Sequence, residues 1–270
     1  MPTVKLHILH TGSCTIDRSI AFDECTLNPL AITGLFRSED DKLHVPISTY
    51  LLEHPQGLIL VDAGLHTDIR VDAQAHLGML NNLVMKAKLP PGQAIHEQLE
   101  EMGIRPRDLD YVVLTHFHTD HVSGLKHVAE AKRIITSEQE WEAANCLNPS
   151  YVPEMWEGVE VETFASKEIP FGPYREGIDL LGDGSIYVMN APGHTEGHTS
   201  LLVKTESGWV YLASDAGYAN ASFVERIMPG IRTSDSAARR SLEYASDFIK
   251  RDDCCLLIAN HDPAITPMVI

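Results

Sequence analysis

Four potential metal ligands fall within six consecutive residues, His116-Phe117-His118-Thr119-Asp120-His121. They follow an apolar run, Tyr111-Val112-Val113-Leu114, that reads as a buried strand. A strand directs alternate side chains to one face. An extended continuation therefore predicts that His116, His118 and Asp120 project together while His121 turns the corner. Three imidazoles and a carboxylate leaving one strand end are the donor set of a metal site. Any one of these residues alone would be ordinary loop polarity; the spacing carries the expectation.

Three further strand ends bear ligand-type residues. Tyr187-Val188-Met189 leads to Gly193-His194, Val210-Tyr211-Leu212-Ala213 leads to Ser214-Asp215, and Leu256-Leu257-Ile258-Ala259 leads to Asn260-His261. Strand ends on one edge of a sheet cluster in space, so ligands distant in sequence can converge there. Seven side chains then suffice for two divalent ions: His116, His118 and His194 on one, Asp120, His121 and His261 on the other. Asp215, short and with two oxygens, would bridge. Imidazole and carboxylate donors suit zinc in the first place, with iron, manganese or cobalt as alternatives. His198 competes with His194, but its Gly197-His198-Thr199-Ser200 setting suits a packed, hydrogen-bonding role. Asp62 is expected either to orient a ligand imidazole or to cap an Asp-Ala-Gly turn.

The elements that must position these residues follow from periodicity and turn chemistry. Val4–Thr11 alternates as a first strand, and 12–45 reads as loop with little regular structure. Ile47–Glu53 and Leu58–Asp62, joined by His54-Pro55-Gln56-Gly57, predict a hairpin. The 66–89 segment is helical in parts, and Ala94–Met102 is a short amphipathic helix stopped at Gly103. Arg133–Thr136 is a strand whose successor, Ser137, can cap a helix starting at Glu138. A proline-rich connection spans 148–173. Strands follow at 178–181, 185–190, 200–205 and 209–213, then a helix over 236–250 and a last strand over 254–259. Strands first and helices later in each half predict packed sheets with helices outside, an α/β class in one domain over residues 1–270.

The 270 residues are 44% hydrophobic, and no run reaches the ~20 apolar residues of a membrane span. The first seven residues lack a basic segment followed by an apolar stretch, so no signal peptide is expected. Cys14, Cys25, Cys146, Cys254 and Cys255 are odd in number and contain no C-x-x-C, which argues against a disulfide framework and for a reducing, cytoplasmic setting. A formal charge of −17, from 21 basic and 38 acidic side chains, repels nucleic acid and anionic membranes. It permits an anionic small molecule, because bound cations would dominate the local field.

Together these residues resemble the metallo-β-lactamase superfamily, through its H-x-H-x-D-H signature at His116–His121 plus Gly193-His194, Asp215 and His261. The resemblance runs from the 47–64 hairpin to His261 and implies an αβ/βα sandwich of two mixed β-sheets flanked by helices, with a dinuclear centre between the sheets. Asp215 stands where β-lactamases proper carry cysteine. His118 stands where the flavodiiron branch has glutamate. The chain continues only nine residues past His261, leaving no room for the helical domain of glyoxalase II. The pattern is most similar to the quorum-quenching N-acyl homoserine lactonases, in which a tyrosine follows the bridging aspartate by three residues; here that is Tyr218. Ser123-Gly124, Ser214 and Asn260 depart from the residues usual in that branch.

The resemblance implies a hydrolase that opens a lactone ring. Two cations bring about +4 charges while Asp120, Asp215 and a hydroxide return about −3, leaving a positive pocket that ionises water near neutral pH. Hydroxide would attack the carbonyl carbon, Tyr218 would donate to the developing oxyanion or the ring, and Asp120 would protonate the leaving alkoxide. Leu77, Met79, Leu80, Leu83, Val84 and Met85, with Leu30, Ile32, Leu35 and Phe36, would either line a channel for an acyl tail or pack on the core or across a homodimer. Small phosphodiesters, other esters or thioesters are the alternative substrates, and a non-catalytic metal-binding protein is the non-enzymatic alternative.

Overall fold

A computed structural model describes residues 2–24 and 26–270; Met1 and Cys25 lie outside them. The expected hairpin forms and frames the first sheet. That sheet comprises β1 (Lys5–Asp17), β2 (Lys42–His54), β3 (Gly57–Val61), β4 (Met85–Lys88), β5 (Tyr111–Val113), β6 (Ile134–Ser137) and β7 (Glu162–Phe164). The second contains β8 (Lys167–Glu168), β9 (Glu176–Asp179), β10 (Ile186–Asn190), β11 (Thr199–Thr205), β12 (Gly208–Ser214) and β13 (Cys254–Ala259), and β14 (Met268–Val269) returns to the edge of the first. Strand order is β14-β1-β2-β3-β5-β6-β7, with β4 on β1, and β13-β12-β11-β10-β9-β8.

Period-2 patterning sorts each strand between two apolar layers. Tyr50 and Leu52 of β2, Ile59 and Val61 of β3, and Val210 and Leu212 of β12 meet between the sheets. The alternate residues Leu51 and Leu60 face helices on one side, while Trp209, Tyr211 and Ala213 face the Asp235–Phe248 helix on the other. Burial on both faces explains why these runs are nearly continuous in apolar residues. The result is the expected αβ/βα sandwich. The Asp235–Phe248 helix starts at Ser234, whose hydroxyl accepts from the Ala237 N–H, and buries Leu242, Ala245 and Phe248.

Three expectations are corrected. The 12–45 stretch is not irregular throughout: β1 continues to Asp17, a turn of helix covers Arg18–Ala21, and β2 already begins at Lys42. The register shifts between His10 and Ser13, where Gly12 sits at φ +108°, and a Cβ there would lie 2.8 Å from both the Leu65 side chain and the Lys88 carbonyl. This bulge lets β1 pair with β2 and β4. The 66–89 segment contains two short helices, Ile69–Leu77 and Met79–Val84, but ends as β4. The proline-rich 148–173 connection carries β7 and β8, each too short to show periodicity. The helix at Asn220–Glu225 and strand β14 were not anticipated. Among the described residues, Cys14, Cys146, Cys254 and Cys255 are free thiols, and no helix is long and apolar enough to cross a membrane.

Candidate metal centre

The C-terminal ends of β3 and β5 in one sheet face those of β10, β12 and β13 in the other. Every expected site residue lies just beyond one of these ends. The motif does not reach its place as an extended strand, however. β5 stops at Val113, and Thr119–Val122 forms a helical turn. That turn, not strand alternation, separates the motif into two groups. His116, His118 and His194 form one, and Asp120, His121 and His261 the other. Asp215 joins His116 and His121 in a third overlapping group, and within each group the donor atoms lie within 4.8 Å of one another.

The imidazoles are oriented from behind. His121 Nδ1–H donates to Asp62 Oδ2 (2.8 Å), His194 Nδ1–H to the Ile231 carbonyl (3.0 Å), and His261 Nδ1–H to the Pro46 carbonyl (2.9 Å). Each Nε2 is then left as the inward atom. That of His194 faces His118 Nδ1 at 2.9 Å; that of His261 lies 3.2 Å from Asp120 and 3.4 Å from Asp215; that of His121 lies 3.3 Å from Asp215. Tying one ring nitrogen to a backbone or carboxylate acceptor while the other points to a shared centre is the usual arrangement around a bound metal.

Two inward atoms are stranded. His116 Nε2 and Asp215 Oδ1 are buried without a hydrogen-bond partner, Asp215 Oδ1 having only the 3.3 Å ion-pair contact with His121 Nε2, a costly condition for polar atoms away from water. Metal coordination would satisfy both. Nitrogen and carboxylate donors in overlapping groups of three therefore fit a pair of divalent ions.

Electrostatics divides the centre. Burial, then the neighbouring imidazoles His121 and His118, holds His116 well below the ordinary histidine value, and burial brings His118 and His194 down to about 4. These rings are neutral, with lone pairs available. In the second group burial opposes ionisation, but Asp215 and Asp120 overcome it and raise His261 to about 10. Burial is likewise overcome at Asp120, which the charges on His121 and His261 draw down to about 2. Cations entering this group would take the place of those protons.

Two non-glycine residues with left-handed backbones stand beside the ligands: Asp62 at φ +59° and Ser214 at φ +48°. Such strain concentrates at functional sites. A left-handed backbone favours glycine, yet Ser214 holds it, and its hydroxyl meets Thr115 Oγ1 at 3.0 Å. Thr115 in turn donates from its N–H and hydroxyl to Asp62. Asp62 thus orients an imidazole, the first of its two expected roles. His198 keeps the packed role: Nδ1–H donates to the Ala191 carbonyl, and Nε2 accepts the Asp215 N–H at 3.1 Å.

Tyr218 is buried beside the centre, its ring stacked on His261 with centroids 5.0 Å apart. A cavity opens from His118, Asp120, His194, Asp215, Tyr218 and His261. Of the apolar residues expected either to line it or to pack elsewhere, Ile32, Leu80, Val84 and Met85 line it; Leu77 packs in the core, and Leu30, Leu35, Phe36, Met79 and Leu83 are exposed. Cys14, Ile16, Ile20 and Ile231 complete the wall. The first three lie in the 12–45 stretch that the sequence presents as loop.

Glu140 lies outside the set of residues that the sequence marks. Fully buried, its carboxylate accepts from the Phe117 N–H and Tyr151 hydroxyl on one oxygen and from the Thr195 hydroxyl and Gly197 N–H on the other. It ties the motif loop to the His194 loop.

The family model of the Metallo-beta-lactamase superfamily matches residues 44–258. The chain is 26% identical to the N-acyl homoserine lactonase AttM of Rhizobium radiobacter, over 97% of this chain and 95% of the relative. It is 30% identical to an N-acyl homoserine lactonase of a Bacillus species, over 93% and 91%. Among solved structures, an N-acyl homoserine lactone hydrolase with N-hexanoyl-L-homoserine bound at its catalytic metal centre superposes with a TM-score of 0.77. That structure shares 24% identity, over 97% of this chain and 95% of that one.

Proposed function

This chain belongs to the metallo-β-lactamase superfamily, a family of metal-dependent hydrolases, and on that premise we propose that it opens the ring of an N-acyl homoserine lactone or a closely similar lactone. His116, His118 and His194 would hold one divalent ion, and Asp120, His121 and His261 a second, with Asp215 between them. Zinc is the first choice by donor chemistry. Once bound, the ions supply Lewis acidity, which yields a nucleophile from water near neutral pH and polarises the ester carbonyl.

The chain's own residues do the rest. The phenol of Tyr218 is held well above its ordinary pKa by burial and by Asp215 and Asp120, so it keeps its proton and acts as a hydrogen-bond donor toward the carbonyl oxygen or the ring. Asp120 lines the cavity. It takes the proton that attacking water gives up as the new C–O bond forms, and returns it to the alkoxide oxygen as the ring C–O bond breaks. The product is a single hydroxy acid. Ile16, Ile20, Met85 and, nearer solvent, Ile32 and Leu80 offer the acyl tail an apolar wall.

The observation that carries this reading is the meeting of all seven donor residues, two of them with a buried atom that lacks a hydrogen-bond partner, at the foot of an apolar cavity. Ring opening releases acid, so a pH-indicator assay with acyl homoserine lactones of graded tail length tests it, alongside a metal content of at least two ions per chain. Turnover of a chromogenic phosphodiester with no lactone turned over would overthrow it.

A further inference from the structure

A second histidine cluster joins His66 and His76, on the segment that walls the cavity, to His96 and His127 on neighbouring elements. The His66 and His127 rings stack with centroids 4.0 Å apart and 5° between planes; His76 stacks on His66 at 4.9 Å, and His96 leans on His127 at 4.0 Å. The carboxylate of Asp68 reaches over two of these rings, with Oδ2 at 3.4 Å from His66 Nδ1 and 3.8 Å from His76 Nδ1.

We propose that His66, Asp68 and His76 form a separate binding site for one borderline transition-metal ion such as Zn2+. Their three donor atoms lie within 4.8 Å of one another. A tetrahedral ion with bonds of about 2.0–2.1 Å spaces neighbouring ligands about 3.3–3.5 Å apart. The Asp68 distances are within a few tenths of an ångström of that edge. The outer nitrogen of His76 already has its support: Nε2 lies 2.8 Å from Ser123 Oγ, which can accept its proton when Nδ1 is on the ion. The Asp68 N–H now donates to His66 Nδ1 at 3.1 Å, so ion entry exchanges that hydrogen bond for a coordinate bond. Burial lowers the pKa of both His66 and His76, leaving neutral rings that need lose no proton to bind. The Asp68 side chain is 65% exposed, which gives an entry path and room for water as the fourth ligand.

The placement gives the ion a task. His66 and His76 lie at the two ends of a segment whose helix, Ile69–Leu77, is interrupted by non-helical Asp72. The next helix, Met79–Val84, supplies Leu80 and Val84 to the cavity. An ion across 66, 68 and 76 staples this interrupted segment and stiffens the wall beyond it.

The test compares ion counts, so whatever the main centre holds cancels. The full chain, Asp68→Asn and His76→Ala are stripped with chelator and equilibrated by dialysis against Zn2+ at micromolar free concentration. Each variant is expected to retain one ion fewer per chain than the parent. A Tm series guards against misfolding. Added Zn2+ should raise the Tm of parent protein whose main centre is already loaded, and should do so less for Asp68→Asn, a change at an exposed side chain. Equal ion counts in all three proteins, or an equal Zn2+ response of parent and Asp68→Asn, overturns the site.

Discussion

The Asp62 carboxylate sits 2.8 Å from His121 Nδ1 across 59 positions of sequence, and it also takes the N–H and hydroxyl of Thr115. A residue just past β3 thereby sets which nitrogen of His121 faces the centre. Asp62→Asn keeps the size but presents an oxygen or an amide, and cannot satisfy all three donors. Metal affinity at the His121 group is expected to fall roughly 10–100-fold, the usual effect of losing such a partner. Competition with a chromogenic chelator measures it; an unchanged affinity would show that His121 is oriented by other contacts.

Tyr218 stacks on His261 but is not in the donor groups. Tyr218→Phe should therefore leave metal content as it is and lower kcat by about 10–100-fold, the worth of one hydrogen bond to a charged group. If steady-state kinetics show kcat unchanged, the ring serves packing alone.

The outer cavity wall predicts a length-dependent defect. Ile32 and Leu80 are partly exposed at the mouth, while Ile16, Ile20 and Met85 are buried within. Leu80→Asn should spare the shortest acyl lactones and cost longer ones about fourfold in kcat/KM for each methylene that loses its contact, following ~0.8 kcal/mol per buried CH2. An equal loss at every tail length would place the tail elsewhere.

Burial pushes the Glu140 carboxyl up to about 7, against four hydrogen-bond donors that pull it down. A folded-state pKa above the unfolded one means that the folded protein holds this proton more tightly. The stability it contributes is full below about pH 4.5 and is lost as pH rises through 7, a difference on the order of 3 kcal/mol. Glu140→Gln removes the titration. The variant is less stable at low pH, because its amide N–H2 opposes a donor, yet its stability should change less between pH 4.5 and 7 than the parent's. Urea unfolding across that range reads the slope; parallel curves would mean that Glu140 is ionised in the fold throughout.

Much of the centre was legible because donor type and spacing are local properties. His116, His118, Asp120 and His121 stand in one short run, and Gly193-His194, Asp215 and His261 each follow an apolar strand that its own residues reveal. The hairpin of β2 and β3 and the helix expected over 236–250 are equally plain, since periodicity and turn residues act within a few positions. The 12–45 stretch hides its strands for the opposite reason. Its residues alternate poorly, and β1 is extended there by pairing with β2 and β4, partners that only the assembled sheet provides.

The sequence by itself determined which side chains can donate to a cation and that their strands end in loops. The tertiary structure decided how they divide. A helical turn at Thr119–Val122 sends Asp120 and His121 to one group and leaves His116 and His118 to the other. It also decided which buried acceptors fix each ring: Asp62, the Ile231 carbonyl and the Pro46 carbonyl lie far along the chain from the imidazoles they hold. Directional hydrogen bonds and close packing act through space, and no local pattern records which distant carbonyl will arrive beside a given nitrogen.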